Sequence, residues 1–422
     1  MRFLIPLLTA VLLVSPLTQA KNVAELAQIA AIANETTAAG NSTAVAELEK
    51  KVQGSLIDTL KGTSGTLTRS QLEKAKQGQA LADKVWLTAS GYDFGRNQQQ
   101  QQQADVDLLA AFSRLPATTL QQNLATVEAI NLNATSGLRQ QALVDAEGEN
   151  YLFFLADALG PRLGQAFIRA YSQGKLNKAA ALIKASEVST RYAKQHFGYT
   201  RPFLIPANTI HLVPDSAVVK DNHPYSANGG SFPSGHTNTG YTDALLIAVM
   251  VPERFVPLVD RAARYGYSRI VLGVHYPLDV MGSRMMAQRN VAYYRNDPQY
   301  RALFEAAKQQ LRTALEKECG TSLSVCAQAP QKDDPYAAAP MQTFYRFTLT
   351  YHLPGNRVQP SPVLVPQGAE VLLEAPLPHL SAAQRRQLMV KTALAGGYPL
   401  SGNAEQSFWQ RLNLHDAVAA AQ

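Results

Sequence analysis

Between residues 237 and 317 apolar side chains recur at helical spacing almost without pause. The segments 237–251, 254–274, 277–294 and 300–317 each read as a helix. Their breaks are punctuated as helix ends should be, by Pro252-Glu253-Arg254, by Pro277 and by Asn296-Asp297-Pro298. Upstream, amphipathic helices are expected over 105–115, 120–130, 151–171 and 176–196, the last stopping at Gly198. Residues 23–72 are Ala/Leu-rich and helical in pattern, with polar breaks. A chain patterned in this way belongs to the mainly α class.

One stretch interrupts the helices with a different chemistry. Gly229-Gly230-Ser231-Phe232-Pro233-Ser234-Gly235-His236-Thr237 puts glycines, then helix-entry residues, directly before the helix that starts at 237. Ser234, Gly235 and His236 should therefore sit at a helix N-terminus, where backbone N–H groups and the helix dipole favour an oxyanion. His236 adds a group able to carry a proton near neutral pH. The preceding stretch, 202–231, holds four prolines and little periodicity, and is expected to wall or cover a pocket.

Two more polar groupings lie in the helical body. Lys194 precedes Arg201-Pro202 by a six-residue spacer, and Ser268-Arg269 is followed by His275 and Asp279. Singly each has a structural explanation, such as solvated helix-end charges or a local polar contact. Together they supply three cations, a hydroxyl, a helix N-terminus, two histidines and a carboxylate. Phosphoryl transfer asks for that set. Arg and Lys neutralise the equatorial oxygens. A neutral imidazole can act as nucleophile, and a carboxylate on its other nitrogen holds the tautomer. Pro277 suits a first helical turn, which places Asp279 within reach of His275. A second histidine, His236, can protonate the leaving oxygen.

Lys-x6-Arg-Pro, Pro-Ser-Gly-His and Ser-Arg-x5-His-x3-Asp resemble the three-part signature of the type 2 phosphatidic acid phosphatase superfamily. The match is complete at Lys194, Arg201, Pro202, Pro233, Ser234, Gly235, His236, Ser268, Arg269, His275 and Asp279. The resemblance is strongest to the soluble bacterial class A non-specific acid phosphatases, and spans roughly 100–318. It implies an all-helical domain with its site between helix ends. Lys194, Arg201, Ser234, Gly235 and Arg269 would hold the phosphoryl oxygens. His275 would be the nucleophile, Asp279 its orienting partner and His236 the general acid. No metal or other cofactor is implied for an acid phosphatase. Vanadate would enter only if the chain were a vanadium haloperoxidase, whose pocket uses the same residues. A lipid or polyprenyl phosphate phosphatase is a further alternative.

The organisation expected is a signal peptide over 1–20, a helical arm over 21–99, the acid phosphatase domain over 100–327, a linker over 328–340 and a small α+β extension over 341–422. Met1 to Ala20 has a minimal basic start at Arg2, an apolar run and a small residue suited to cleavage, so export to the periplasm or medium is expected. Cys319 and Cys326, with six residues between them, fit a short disulfide loop in an oxidising compartment. In the tail, Tyr345, Phe347, Leu349 and Tyr351 alternate with polar residues as in a strand. Residues 363–365 and 371–373 are candidates for two more, and Ser381 with Gln384 reads as a capping box. The run of glutamines 98–103 reads as a solvated helix or loop. A net charge of +7 favours anionic substrates. Without Lys/Arg clusters interleaved with aromatics, nucleic acid is not an expected partner. Small-molecule phosphate esters are, with no membrane span. Homo-oligomer formation stays open.

Overall fold

The computed structural model describes residues 16–35, 47, 50–51, 81–147, 152–212, 230–330, 333–336, 339–355 and 361–421. Most of the signal-peptide segment, 1–15, and the stretch 213–229 of the proline-rich wall lie outside them. The α-helices are α1 (Pro16–Glu35), α2 (Lys84–Ala89), α3 (Phe94–Leu109), α4 (Ala117–Asn133), α5 (Ser136–Glu147), α6 (Pro161–Ser172), α7 (Asn177–Ser186), α8 (Arg191–Phe197), α9 (Gly235–Met250), α10 (Phe255–Val271), α11 (Pro277–Asn296), α12 (Pro298–Cys319), α13 (Leu323–Cys326), α14 (Pro340–Thr348), α15 (Ala382–Thr392), α16 (Ala404–Arg411) and α17 (Leu414–Ala419). Among the described residues no β-strand forms, and Gly396 alone makes an isolated bridge.

Helix α9 is the axis. From Thr237 to Met250 every residue but Thr239 is buried, because α10 and α11 both pack on it. Small residues permit that approach. A Cβ on Gly240 would run into the Tyr265 ring, and one on Gly266 would come within 2.7 Å of Val280. The three helices therefore bring three chain ends to one place: the start of α9, the end of α10 and the start of α11. A single cluster of buried apolar side chains runs from Ile29 through this trio to Val418.

Several elements differ from the sequence reading. The expected helix over 176–196 is two, α7 and α8, parted at 187–190, where Asn238 Nδ2 on α9 donates to the Val188 carbonyl at 2.8 Å. The segment 152–159 is 3-10 helix, closed by Gly160 at φ 83° and restarted as α6 by Pro161. The glutamine run lies within α3 and is not wholly solvated. Gln98 donates to the Ala185 carbonyl at 2.9 Å, and Gln101 accepts from Arg289 at 2.8 Å.

The expected α+β character of the tail is corrected. Pro340 opens α14, and Met341, Phe344, Tyr345, Phe347 and Thr348 form its buried face. That set has helical spacing, and it overrides the coincident alternation of Tyr345, Phe347, Leu349 and Tyr351. Residues 363–365 form no regular element, and 371–373 belong to a 3-10 turn, Ala369–Leu373. The capping box at Ser381 and Gln384 opens α15 as read. Cys319 and Cys326 are joined by a disulfide across the turn between α12 and α13.

Candidate active site

The nucleophile candidate is fixed from both sides. His275 lies just before α11 and is 2% exposed. Its Nδ1 lies 2.8 Å from Asp279 Oδ2, in the first turn of α11. Its Nε2 lies 3.3 Å from Arg201 Nη1. A guanidinium only donates, so Nε2 must carry the lone pair and Nδ1 the proton. That is the tautomer a nucleophile at Nε2 requires. Burial first, then the nearby Arg201, Lys194, His236 and Arg269, hold the His275 imidazole well below the ordinary histidine value, which favours its neutral form.

Asp279 is fully buried, and one of its oxygens, Oδ2, takes three donors. They are His275 Nδ1, the Tyr276 backbone N–H at 2.9 Å and the Ser231 hydroxyl. Burial pushes its carboxyl up to about 6, against the pull of Ser231, Tyr276, Lys194 and Arg201. Ser231 thus joins the glycine-rich turn to the base of the nucleophile. The sequence reading quoted Ser231 but gave it no part, because its partner lies 48 positions away.

Lys194 and Arg201 come from α8 and the loop after it. Lys194 Nζ donates to the carbonyls of Gly230 at 2.7 Å and Ser231 at 3.0 Å. A side chain at Gly230 would crowd this contact, since a Cβ would sit 3.0 Å from the Lys194 carbonyl oxygen. Burial, then Arg201, pulls the Lys194 ammonium down to about 7 against the opposing pull of Asp279. Arg201 also donates to the Val274 carbonyl at 2.9 Å, and burial lowers its guanidinium below the usual value.

Ser234 caps α9: its hydroxyl oxygen accepts from Thr237 N at 3.2 Å and Thr237 Oγ1 at 2.9 Å. Gly235 and His236 follow as the first turn. At a helix N-terminus such N–H groups have no intrahelical acceptor. The Ser234 backbone is tied to α11, its N–H reaching the Asp279 carbonyl and its carbonyl accepting from Ser283 at 2.7 Å.

Helix α5 supplies the remaining side, which carried no signal in the sequence because its contribution is backbone. The Ala146 carbonyl lies 3.2 Å from His236 Nε2. The Ala142 carbonyl accepts from Arg269 Nη2 at 2.6 Å, while Arg269 Nε and Nη2 also hold Ser268 Oγ and the guanidinium lies 5.3 Å over Tyr265. Of the eight site residues read from the sequence, Lys194, Arg201, Ser234, His275 and Asp279 are thus joined directly or through Ser231, Gly235 and His236 follow Ser234 in the first turn of α9, and His236 and Arg269 both reach α5.

Residues 176–301 match the PAP2 superfamily. This segment is a PAP2 superfamily domain. It contains every one of the eight residues. The chain is also similar to a non-specific acid phosphatase of Providencia stuartii, with 32% identity over 130 residues, 30% of this chain and 48% of that protein. An acid phosphatase of Zymomonas mobilis is 32% identical over 122 residues, 29% of this chain and 44% of the relative. An undecaprenyl-diphosphatase of Bacillus subtilis is 41% identical over 90 residues, 21% of this chain and 39% of the relative. The chain spans less than half the length of each of these relatives.

Proposed function

We propose that this chain is an exported phosphomonoesterase of acid phosphatase type, working through a phosphohistidine at His275. The observation that carries the reading is the state of that imidazole: Nδ1 donated to Asp279, Nε2 left with its lone pair beside a guanidinium. In this reading Nε2 attacks phosphorus, the P–O bond to the leaving group breaks in line, and His236 gives the departing oxygen its proton. Water then attacks the phosphohistidine with His236 as base, releasing phosphate and restoring the imidazole. Lys194, Arg201 and Arg269, with the N-terminus of α9, neutralise the equatorial oxygens, the work a divalent cation does elsewhere. Export rests on the pattern of residues 1–20 and on the Cys319–Cys326 bond.

The undecaprenyl-diphosphatase similarity supports a second reading, a lipid phosphate substrate. Among the described residues no helix is long and apolar enough to cross a membrane. A panel of sugar, aryl and alkyl phosphates and phosphatidic acid, assayed with excess chelator, tests both. The first reading expects turnover of the water-soluble monoesters under chelation and competitive inhibition by vanadate. Turnover confined to the lipid, or dependent on an added metal, would overturn it.

A further inference from the structure

A cavity opens beside His236, against the linker between α7 and α8. It measures about 330 Å³, and its lining includes Gly235 and His236 but none of Lys194, Arg201, Arg269 or His275. The gap between α7 and α8 creates it. One wall is the linker with Ser189 and Thr190, with the Lys184–Glu187 ion pair (2.7 Å) beside it. The other is the face of α9 carrying Asn238 and Thr239. Apart from Val188 and Gly235, every lining side chain is polar. Asn238 is 2% exposed; its amide nitrogen fixes the linker through the Val188 carbonyl, and its Oδ1 has no hydrogen-bond partner among the described residues.

In-line displacement places the leaving group opposite the attacking nitrogen, next to the acid that protonates it. Of the two histidines the cavity touches only the acid. We propose that it is the leaving-group subsite, and that it selects a hydroxyl-rich alcohol of pentose or hexose size over an alkyl chain. This rests on the phosphatase reading above. Its volume lies at the low end of small-ligand pockets, roughly 300–1,000 Å³, which suits one compact group and not an acyl chain. Its polar walls offer donors and acceptors that an alkyl group would desolvate without replacing.

Glucose 6-phosphate and n-hexyl phosphate isolate the effect. Both release a primary alcohol of six carbons, so they differ in hydroxyls and ring. The full chain should favour glucose 6-phosphate by about tenfold or more in kcat/KM. Thr239→Phe, which fills the cavity, should cut that kcat/KM by about tenfold while changing methyl phosphate turnover and the inhibition constant for inorganic phosphate less than about twofold. Ser189→Phe, at an exposed position on the opposite wall, carries the same test if Thr239→Phe does not fold. Equal kcat/KM for the glucose and hexyl esters would overturn the subsite. So would glucose 6-phosphate turnover unmoved in the folded variants. If the chain hydrolyses none of the three esters, the phosphatase reading falls and the subsite with it.

Discussion

Lys194 holds its proton with difficulty: burial and Arg201 bring it down to about 7, while burial and the surrounding cations hold His275 well below the ordinary histidine value and so favour its neutral form. The two shifts point the same way in pH. Below about 7 the ammonium is charged and can hold a phosphoryl oxygen, and the nucleophile is still unprotonated. As pH rises through about 7 the cation is lost and substrate binding weakens. We expect kcat/KM to fall on the alkaline side through that value, and the limb to move upward in Lys194→Arg, whose guanidinium stays charged. Bound phosphate favours the ammonium, so the limb in kcat should lie above that in kcat/KM. A pH profile of the unsubstituted chain and of Lys194→Arg checks this, and an unmoved limb would assign it to another group. His275→Ala should abolish turnover of every ester. His236→Ala should cost ~10²–10⁴-fold on alkyl esters and less on a nitrophenyl ester, whose phenolate leaves without a proton. Equal losses on both would remove the acid role from His236. These residues were legible because their spacing is local. Ser231 and Arg201 show the limit: the spacing does not show that Ser231 reaches Asp279, or that Arg201 faces Nε2 of His275, since both contacts are made by folding.

Helix α5 is the element that sequence could not reveal as part of the site, since it acts through the carbonyls of Ala142 and Ala146. What fixes it is charged and buried. Asp145 Oδ1 and Oδ2 take Arg261 Nη2 at 2.5 Å and Nη1 at 3.0 Å, and the Asp145 carbonyl accepts from the Tyr265 hydroxyl at 2.9 Å. Asp145→Asn keeps the shape but removes the charge. Arg261 retains Asp157 at 3.0 Å, so the loss of stability should stay near the low end of the ~3–5 kcal/mol seen when a buried pair is broken. The kinetic expectation is more specific. Displacing Ala146 frees His236, so kcat on alkyl esters should fall further than kcat on the nitrophenyl ester, with KM little changed. A uniform fall across leaving groups would mean α5 only supports the fold. Existence and type of the long helices were readable from period alone. The split at 187–190 was not, because it depends on Asn238 reaching across from α9, and neither was α14, because the same residues satisfy both periods.

At the scale of the whole molecule the tail is part of the core that carries the site. Arg284, on the helix whose first turn holds Asp279 and 1% exposed, directs most of its guanidinium to the tail. Nη2 donates to the Gln410 carbonyl at 2.7 Å, and Nη1 to those of Trp409 at 3.1 Å and Leu412 at 3.4 Å. His415 Nδ1 lies 2.7 Å from the buried Asp260 of α10, and Phe344 packs edge-on against Tyr267 of the same helix at 5.2 Å. The two helices that deliver Arg269 and Asp279 are thus both gripped from residues 340–422. Removing that segment would take three carbonyl acceptors from Arg284 and His415 from Asp260, and would bare a wide apolar surface. We expect chain 1–339 to give no cooperatively folded, soluble protein. The point variant Arg284→Met separates this from mere loss of area. It keeps length and apolar bulk but leaves three carbonyls without their donor, and should cost about 3–5 kcal/mol. That loss should appear as a lower urea midpoint with an unchanged slope. Because Arg284 touches no group in the site, the folded fraction should keep its kcat and its affinity for phosphate. A truncated chain that melts cooperatively and turns over normally would show instead that the helical body stands without its tail.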